Sequence, residues 1–282
     1  MGFSINASGK LLRDGRIVEQ VPARTGHTGG PFPSTPKIIV MHFTSGGTGR
    51  SSAEWFRDPT NSGKSSAHVV VDRDGSVIQC VAFDTVAHHA GKSKLGTLVG
   101  LNRFAYGIEL ANWGGLQRKA NGWTSFTGVS IPDPVLAVHR NGNPDGSTAP
   151  MGWEPYPQAQ IDAAIGIAQA IVALSGADQI VGHDDISKGR KWDPGPAFDM
   201  LSFRARVLED MGSDDDNLLH VDVAEGLNLR RGPGTAFEAI ELLANRTPLR
   251  LVERSGNWLM VNVVNAGGVP IKTGWVHSAF VQ

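Results

Sequence analysis

The chain has 282 residues, 26 Lys+Arg against 27 Asp+Glu, a formal net charge of −1 and 40% hydrophobic residues. This composition is globular and excludes a largely disordered protein, while balanced charge without a clustered basic patch excludes a dedicated nucleic-acid binder. The single cysteine, Cys80, excludes an intrachain disulfide framework and any multi-cysteine zinc site.

Taken in chain order, Met1 to Gln20 holds no apolar stretch of secretory type, so no Sec leader is expected. Asn6 stands where a myristoylation signal needs Ser or Thr. No run approaches the ~18 apolar residues of a membrane helix, so no membrane partner is expected. Lys37–Phe43 (KIIVMHF) reads as a buried strand running into a Gly-rich loop, Thr44–Gly49. His68–Val81 reads as a hairpin around Asp72-Arg73-Asp74-Gly75, with Cys80 as a small buried hydrophobe. Tyr106–Asn112 is a further strand. Gly114–Met151, rich in Gly, Pro and Asn, fits neither helix nor strand and reads as an insertion or long functional loop.

Ile161, Ile165, Ala168 and Val172 recur at helical spacing and predict a helix over Gln158–Ser175 that ends at Gly176. Gln179–His183 is another strand, and Pro196–Met211 a second helix. Strands alternating with helices predict an α/β body, a mixed central sheet flanked by helices. The acidic run at 213–217 is the natural linker. It divides a body, 1–212, from a tail, 218–282, whose short apolar runs and turns, Gly267-Gly268 among them, predict a small all-β barrel.

Chemistry concentrates at two strand ends. His42 closes the first strand before the Gly-rich loop, and His183 closes the strand at Gln179–His183, ten positions before Asp193. Two imidazoles and a carboxylate make a suitable ligand set for a catalytic Zn2+, leaving a fourth position for water. The alternative is that His183 and Asp193 simply cap turns, and spacing alone leaves both readings open.

Five blocks carry a family resemblance: MHFTSGG at His42, AHVVVDRDGSVIQCV at His68, HHAGKS at His89, YGIELAN at Glu109 and VGHDDISKGRKWDPGP at His183. Together they resemble the zinc-dependent N-acetylmuramoyl-L-alanine amidases, in particular the AmpD- and AmiD-like amidase-2 branch, over roughly Ile38–Leu208. The resemblance implies that His42, His183 and Asp193 hold zinc, that Glu109 activates the attacking water, and that Lys191 stabilises the tetrahedral intermediate. His68 and His89 match recurring cleft histidines and are expected to bind substrate. Ala67 replaces the Tyr found before the motif His in the phage-lysozyme branch, which favours Glu109 as the essential group. His88 stands where the family often has Trp, which puts one cleft wall in question.

In the tail, LNLRRGPGT, GNWLMV and GWVHSAFV resemble a bacterial SH3 domain, implying a cell-wall-binding module with Trp258 and Trp275 as candidate stacking residues. The implied reaction is hydrolysis of the amide between N-acetylmuramic acid and L-alanine in peptidoglycan, contacting glycan strand and stem peptide. Two alternatives stand beside it: a peptidoglycan-recognition protein that only binds, against which the complete ligand set argues, and a zinc peptidase cutting within the stem peptide. No H-E-x-x-H helix is present. Without a leader, the expected setting is cytoplasmic synthesis and action on the wall, as in phage lysis, alternative export or a removed leader.

Overall fold

The structure, a computed structural model, describes residues 2–208, 218–265 and 270–282. The expected linker at 213–217 and the Gly267-Gly268 turn lie outside the described residues, as do 209–211 of the second expected helix. Two compact units result, Met1–Asp199 and Met200–Gln282.

The first unit is built on a six-stranded sheet: β1 Glu19–Gln20, β2 Ile38–Phe43, β3 Val69–Val71, β4 Val77–Gln79, β5 Ala105–Leu110 and β6 Gln179–Gly182, in the order β6-β2-β5-β3-β4-β1. The β3–β4 hairpin is antiparallel and the other neighbours run parallel, so the sheet is mixed. Parallel strands need crossovers on the faces, and a strand buried on both faces reads as a continuous apolar run. This is why IIVM of β2 and VVV of β3 are wholly enclosed.

Helix α1, Gly49–Arg57, starts directly after the Gly-rich loop. Thr48 caps it reciprocally with Ser51, a signal the loop reading passes over because it spans only nine residues. It covers Val70, Ile78 and Cys80 with Ala53 and Phe56. Helix α2 spans Gln158–Ser175 and ends at Gly176 in the left-handed conformation, φ 63°. At 18 residues, α2 is long and apolar enough to cross a membrane by length and composition. Here it is a core helix: Ala164, Ile167, Ala168 and Ile171 are buried, and Gly166 lets the ring of Phe3 approach its backbone. The Gln160 side chain ties α2 to the sheet by donating to the carbonyls of Val71 and Ala111.

The strand expected through His183 ends one residue earlier. His183 opens a single helical turn, α3 His183–Ile186. The insertion also acquires structure: Gln117–Lys119 pairs with Gly122–Thr124, and Val135–Ala137 with Met151–Trp153. Such three-residue strands carry too little pattern to be read from sequence, and their pairing is set by Gly and Asn turns.

In the second unit, helix α4, Met200–Leu208, begins later than the helix expected from Pro196, because Pro196-Ala197 form a turn in which Phe198 N–H donates to the Gly195 carbonyl. Six strands follow: β7 Leu218–His220, β8 Leu227–Arg230, β9 Ala239–Leu243, β10 Pro248–Ser255, β11 Trp258–Val264 and β12 Pro270–His277, antiparallel in the order β7-β10-β11-β12-β8-β9. Leu229, Leu249, Leu259, Val261 and Val276 form its core. Trp275 belongs to the interior, whereas Trp258 stays partly exposed against His277.

His68 differs most from its expected role. It is fully buried, stacked between Phe32 and Phe83, and so does not reach a ligand. Its Nε2–H donates to the Thr85 carbonyl and its Nδ1 accepts the Gly107 N–H, both at 3.0 Å. Burial lowers its pKa from 6.5 to about 4, with only partial compensation from those backbone partners. The unfolded chain therefore binds the proton more readily, and the stability due to neutral His68 is lost as pH falls from 6.5 towards 4. Between pH 7 and pH 5 this residue alone should remove about 2 kcal/mol. Urea unfolding of the parent and His68→Gln should show the smaller pH slope in the variant, and parallel slopes would refute the assignment.

Candidate metal centre and cleft

His42 and Glu109 are register partners on the neighbouring parallel strands β2 and β5. Partners in register project to the same face, so both side chains rise together at the C-terminal ends of the strands. His183 follows directly on the next strand, β6, as the first residue of α3, and Asp193 comes from the loop after α3. The backbone joins these two segments, since Asp184 N–H donates to the Asp193 carbonyl at 2.9 Å.

Three buried donor atoms converge. His42 Nδ1 lies 3.0 Å from His183 Nδ1, and each is 2.9 Å from Asp193 Oδ2. Among the described residues this is the group of His, Cys, Asp and Glu able to hold a metal, its ligand atoms all within 4.8 Å of one another.

The outer nitrogens fix the tautomers. A carbonyl only accepts, so His183 donates Nε2–H to Ala90 and His89 donates Nε2–H to Ala105. Neutral His89 then offers Nδ1 as an acceptor to His42 Nε2–H at 3.0 Å. Both inner Nδ1 atoms thus present lone pairs to each other and to a carboxylate. Burial first, then His183, lowers the pKa of His42 to about 4, and burial holds His89 well below its ordinary value. Burial opposes the Asp193 charge, yet its imidazole partners hold that carboxyl below the usual range. Three donor atoms in contact, with the outer ring protons directed elsewhere, form a group able to hold a cation. The residues fit a metal ion.

Glu109 lines the same cleft, and its Oε2 is buried without a hydrogen-bond partner. Burial and the Asp193 charge raise its pKa to about 8, against the opposing pull of Lys191. Lys191, Arg190 and Trp192 form one side of the cleft, whose volume is about 600 Å³, and Ser51, Ser52 and Trp55 of α1 form another. His88 and His89 both line it. Of the seven residues named from the sequence, His68 alone stands outside this cluster, beneath it in the core.

Several positioning residues carry no sequence signal of their own. Arg73, from the β3–β4 turn, grips Glu154 through Nε and Nη2 at 2.8 and 2.9 Å and donates to the Gly47 carbonyl, which fixes the loop after His42. Arg190 donates to the carbonyls of Ala90 and Lys92. Tyr156 donates to the Pro194 carbonyl beside Asp193. Cys80, in the hairpin, is no ligand; burial, then Glu109 and Glu54, push its thiol up to about 12.

Residues 32–196 match the family described as N-acetylmuramoyl-L-alanine amidase, amidase-2. The chain belongs to that family. Residues 225–282 of this amidase match the bacterial SH3 domain. Over 217 residues it is 29% identical to the 1,6-anhydro-N-acetylmuramyl-L-alanine amidase AmpD of Enterobacter cloacae, covering 70% of this chain and 95% of the relative. It is 28% identical to the N-acetylmuramoyl-L-alanine amidase AmiD of Escherichia coli over 166 residues, 57% of this chain and 50% of AmiD. Among solved structures, a complex of Escherichia coli AmiD with anhydro-N-acetylmuramic acid-L-Ala-D-gamma-Glu-L-Lys is 25% identical, with a TM-score of 0.46, covering 73% of this chain and 65% of that one. The protein is a hydrolase of the amide bond between N-acetylmuramic acid and L-alanine in peptidoglycan.

The amidase depends on a close approach at Gly107. A Cβ there would lie 2.5 Å from Cγ of His89, whose ring supports His42. Gly107→Ala should displace that ring and destabilise the fold by about 1–3 kcal/mol. Thermal unfolding together with the imidazole N–H resonances of His42 and His89 would check this. An unshifted pair of resonances would show that the contact does not hold the ring.

Proposed function

We propose that the amidase is a zinc enzyme in which His42, His183 and Asp193 hold the ion, Glu109 moves the proton and Lys191 stabilises the developing oxyanion. The observation that carries this reading is the convergence of two imidazole lone pairs and one carboxylate beside an unpartnered buried glutamate. Zinc suits two imidazoles and a carboxylate, with a fourth position left for substrate or water. When bound, it supplies a Lewis acid that polarises the scissile carbonyl and acidifies water.

The chain's own residues do the rest. Burial and the Asp193 charge push the Glu109 carboxyl up to about 8, close enough to neutrality to accept a proton and return it to the leaving amine. The Lys191 charge, felt at both Glu109 and His42, stands on the cleft wall where negative charge develops. His89 keeps the His42 lone pair turned inward and lines the cleft, where it also meets substrate.

Residues 1–212 act as the catalytic domain, 213–217 as the joint and 218–282 as a wall-binding domain, although by compactness helix α4, Met200–Leu208, groups with the second unit. Both family matches, 32–196 and 225–282, fall inside these bounds. The partner is peptidoglycan, through its glycan strand and stem peptide, and the setting is the cell wall. The partly exposed ring of Trp258, edge-on to His277, with Phe280 beyond it, gives the tail an aromatic ledge for that contact. A tethered module raises the local substrate concentration on an insoluble wall.

Glu109→Gln should lower hydrolysis of sacculi by roughly 10²–10⁴-fold while retaining one equivalent of zinc. Loss of the metal would show a structural role instead. Mass spectrometry of the parent's digest should find stem peptides beginning at L-alanine, and internally cut peptides would reveal a peptidase. Trp258→Ala should reduce co-sedimentation with sacculi and leave cleavage of soluble muropeptides unchanged; undiminished sedimentation would remove the ledge from the wall contact.

A further inference from the structure

Beyond the ligand set itself, we infer that the insertion 114–151 is a clamp that pre-forms the metal site, with His139, Arg140 and Gly142 gripping the segment between the ligands at both of its ends, next to His183 and next to Asp193. This rests on the zinc reading and adds positioning residues to it.

The first grip is on Asp184, immediately after His183. Its carboxylate is buried, with a side-chain exposure of 4%, and the insertion supplies its charged partner. Arg140 meets it with a fork, Nη2 to Oδ1 at 2.7 Å and Nε to Oδ2 at 3.1 Å, and Nη2 also reaches Asp185 at 2.8 Å. His139 Nε2–H donates to Oδ2 at 3.0 Å; that tautomer is fixed because Nδ1 accepts the Asn141 N–H. Asn141 Nδ2 donates to the Asp184 carbonyl at 2.9 Å.

The second grip is on Trp192, between Lys191 and Asp193, whose Nε1–H donates to the Gly142 carbonyl at 2.9 Å. The gripping loop is itself rigid. Asn143 is buried, accepts the His139 N–H and donates to Ser147 and the Ala149 carbonyl. There is no slack beneath Asp184 either, because a Cβ on Gly182 would fall 2.2 Å from its Oδ1.

A buried carboxylate that loses its charged partner is strongly destabilised, and removing Arg140 leaves the Asp184 carboxylate with His139. Asp184 would have to turn out, and its backbone, bonded to the Asp193 carbonyl, would take both ligands with it. Groups that orient metal ligands through such outer contacts typically change metal affinity by roughly 10–100-fold when removed.

The full-length protein should be compared as parent, Arg140→Ala, Arg140→Lys and Trp192→Phe, with Leu136→Ser as an exposed control on the same insertion. Zinc affinity is read by competition with a chromophoric chelator, and site geometry by the visible absorption of the cobalt-loaded protein. Arg140→Ala should weaken zinc by roughly 10–100-fold and alter the cobalt bands. Arg140→Lys, which keeps the charge without the fork, should fall between it and the parent. Trp192→Phe, which keeps the ring but not the donor, should weaken zinc by a smaller factor and serves if Arg140→Ala fails to fold. With saturating zinc, the remaining defect should lie in kcat, not KM. Parent-like zinc affinity and cobalt bands in the folded variants would overturn the clamp and leave the zinc site standing. Equal weakening in Leu136→Ser would reduce the effect to general destabilisation and overturn it too. A parent that binds no zinc would overturn both readings.

Discussion

Two imidazole nitrogens and a carboxylate oxygen meet at hydrogen-bonding distance with no proton to share between the rings. Much of the first unit follows from keeping them there. The outer nitrogens of His42 and His183 are committed, one through His89 and one directly, to main-chain carbonyls of Ala105 and Ala90. Backbone carbonyls in a packed core do not rotate away, so the lone pairs have no alternative direction. Holding three such donors together carries a cost in repulsion that a bound cation would relieve. The surrounding sheet offsets that cost through burial of its parallel strands.

Glu109 answers to the same constraint. Pairing in register with His42 on adjacent parallel strands fixes its lateral distance from the ligands without making it one of them. It shares the apolar face that holds Val70, so one carboxylate oxygen remains unpartnered and its pKa is raised to about 8. An orphaned carboxylate in a folded interior is ordinarily a defect. Beside three converging donor atoms it matches the proton-carrying role proposed for Glu109. Lys191, on the same loop as Asp193, moderates that shift and supplies the positive charge on the facing wall.

The glycines of the site mark where side chains press on backbone. Gly107 admits the His89 ring and Gly182 admits the Asp184 carboxylate. Neither is in a left-handed conformation, so the requirement is space and not backbone freedom. Such close approaches leave no mark in the sequence beyond a glycine among the chain's 35. The same holds for Arg73, Arg140 and Arg190: each is an ordinary surface cation until the fold brings its carboxylate or carbonyl partner from a distant segment.

The sequence alone determined the α/β body, the β-rich tail, the extent of α2 to the residue, and the grouping of His42, His183 and Asp193 as candidate ligands beside Glu109. These are legible because they lie in local signals: apolar runs, helical spacing, a terminal glycine, and blocks dense enough to carry a family resemblance. Only the tertiary structure decided what the remaining groups do. His68 and His89 sit in similar motif blocks, yet one is stacked between Phe32 and Phe83 in the core and the other faces the cleft. The insertion, which read as a loop without pattern, holds hairpins and reaches Asp184 and Trp192. Burial and partner choice depend on residues tens of positions away, and no local period encodes which of them will meet.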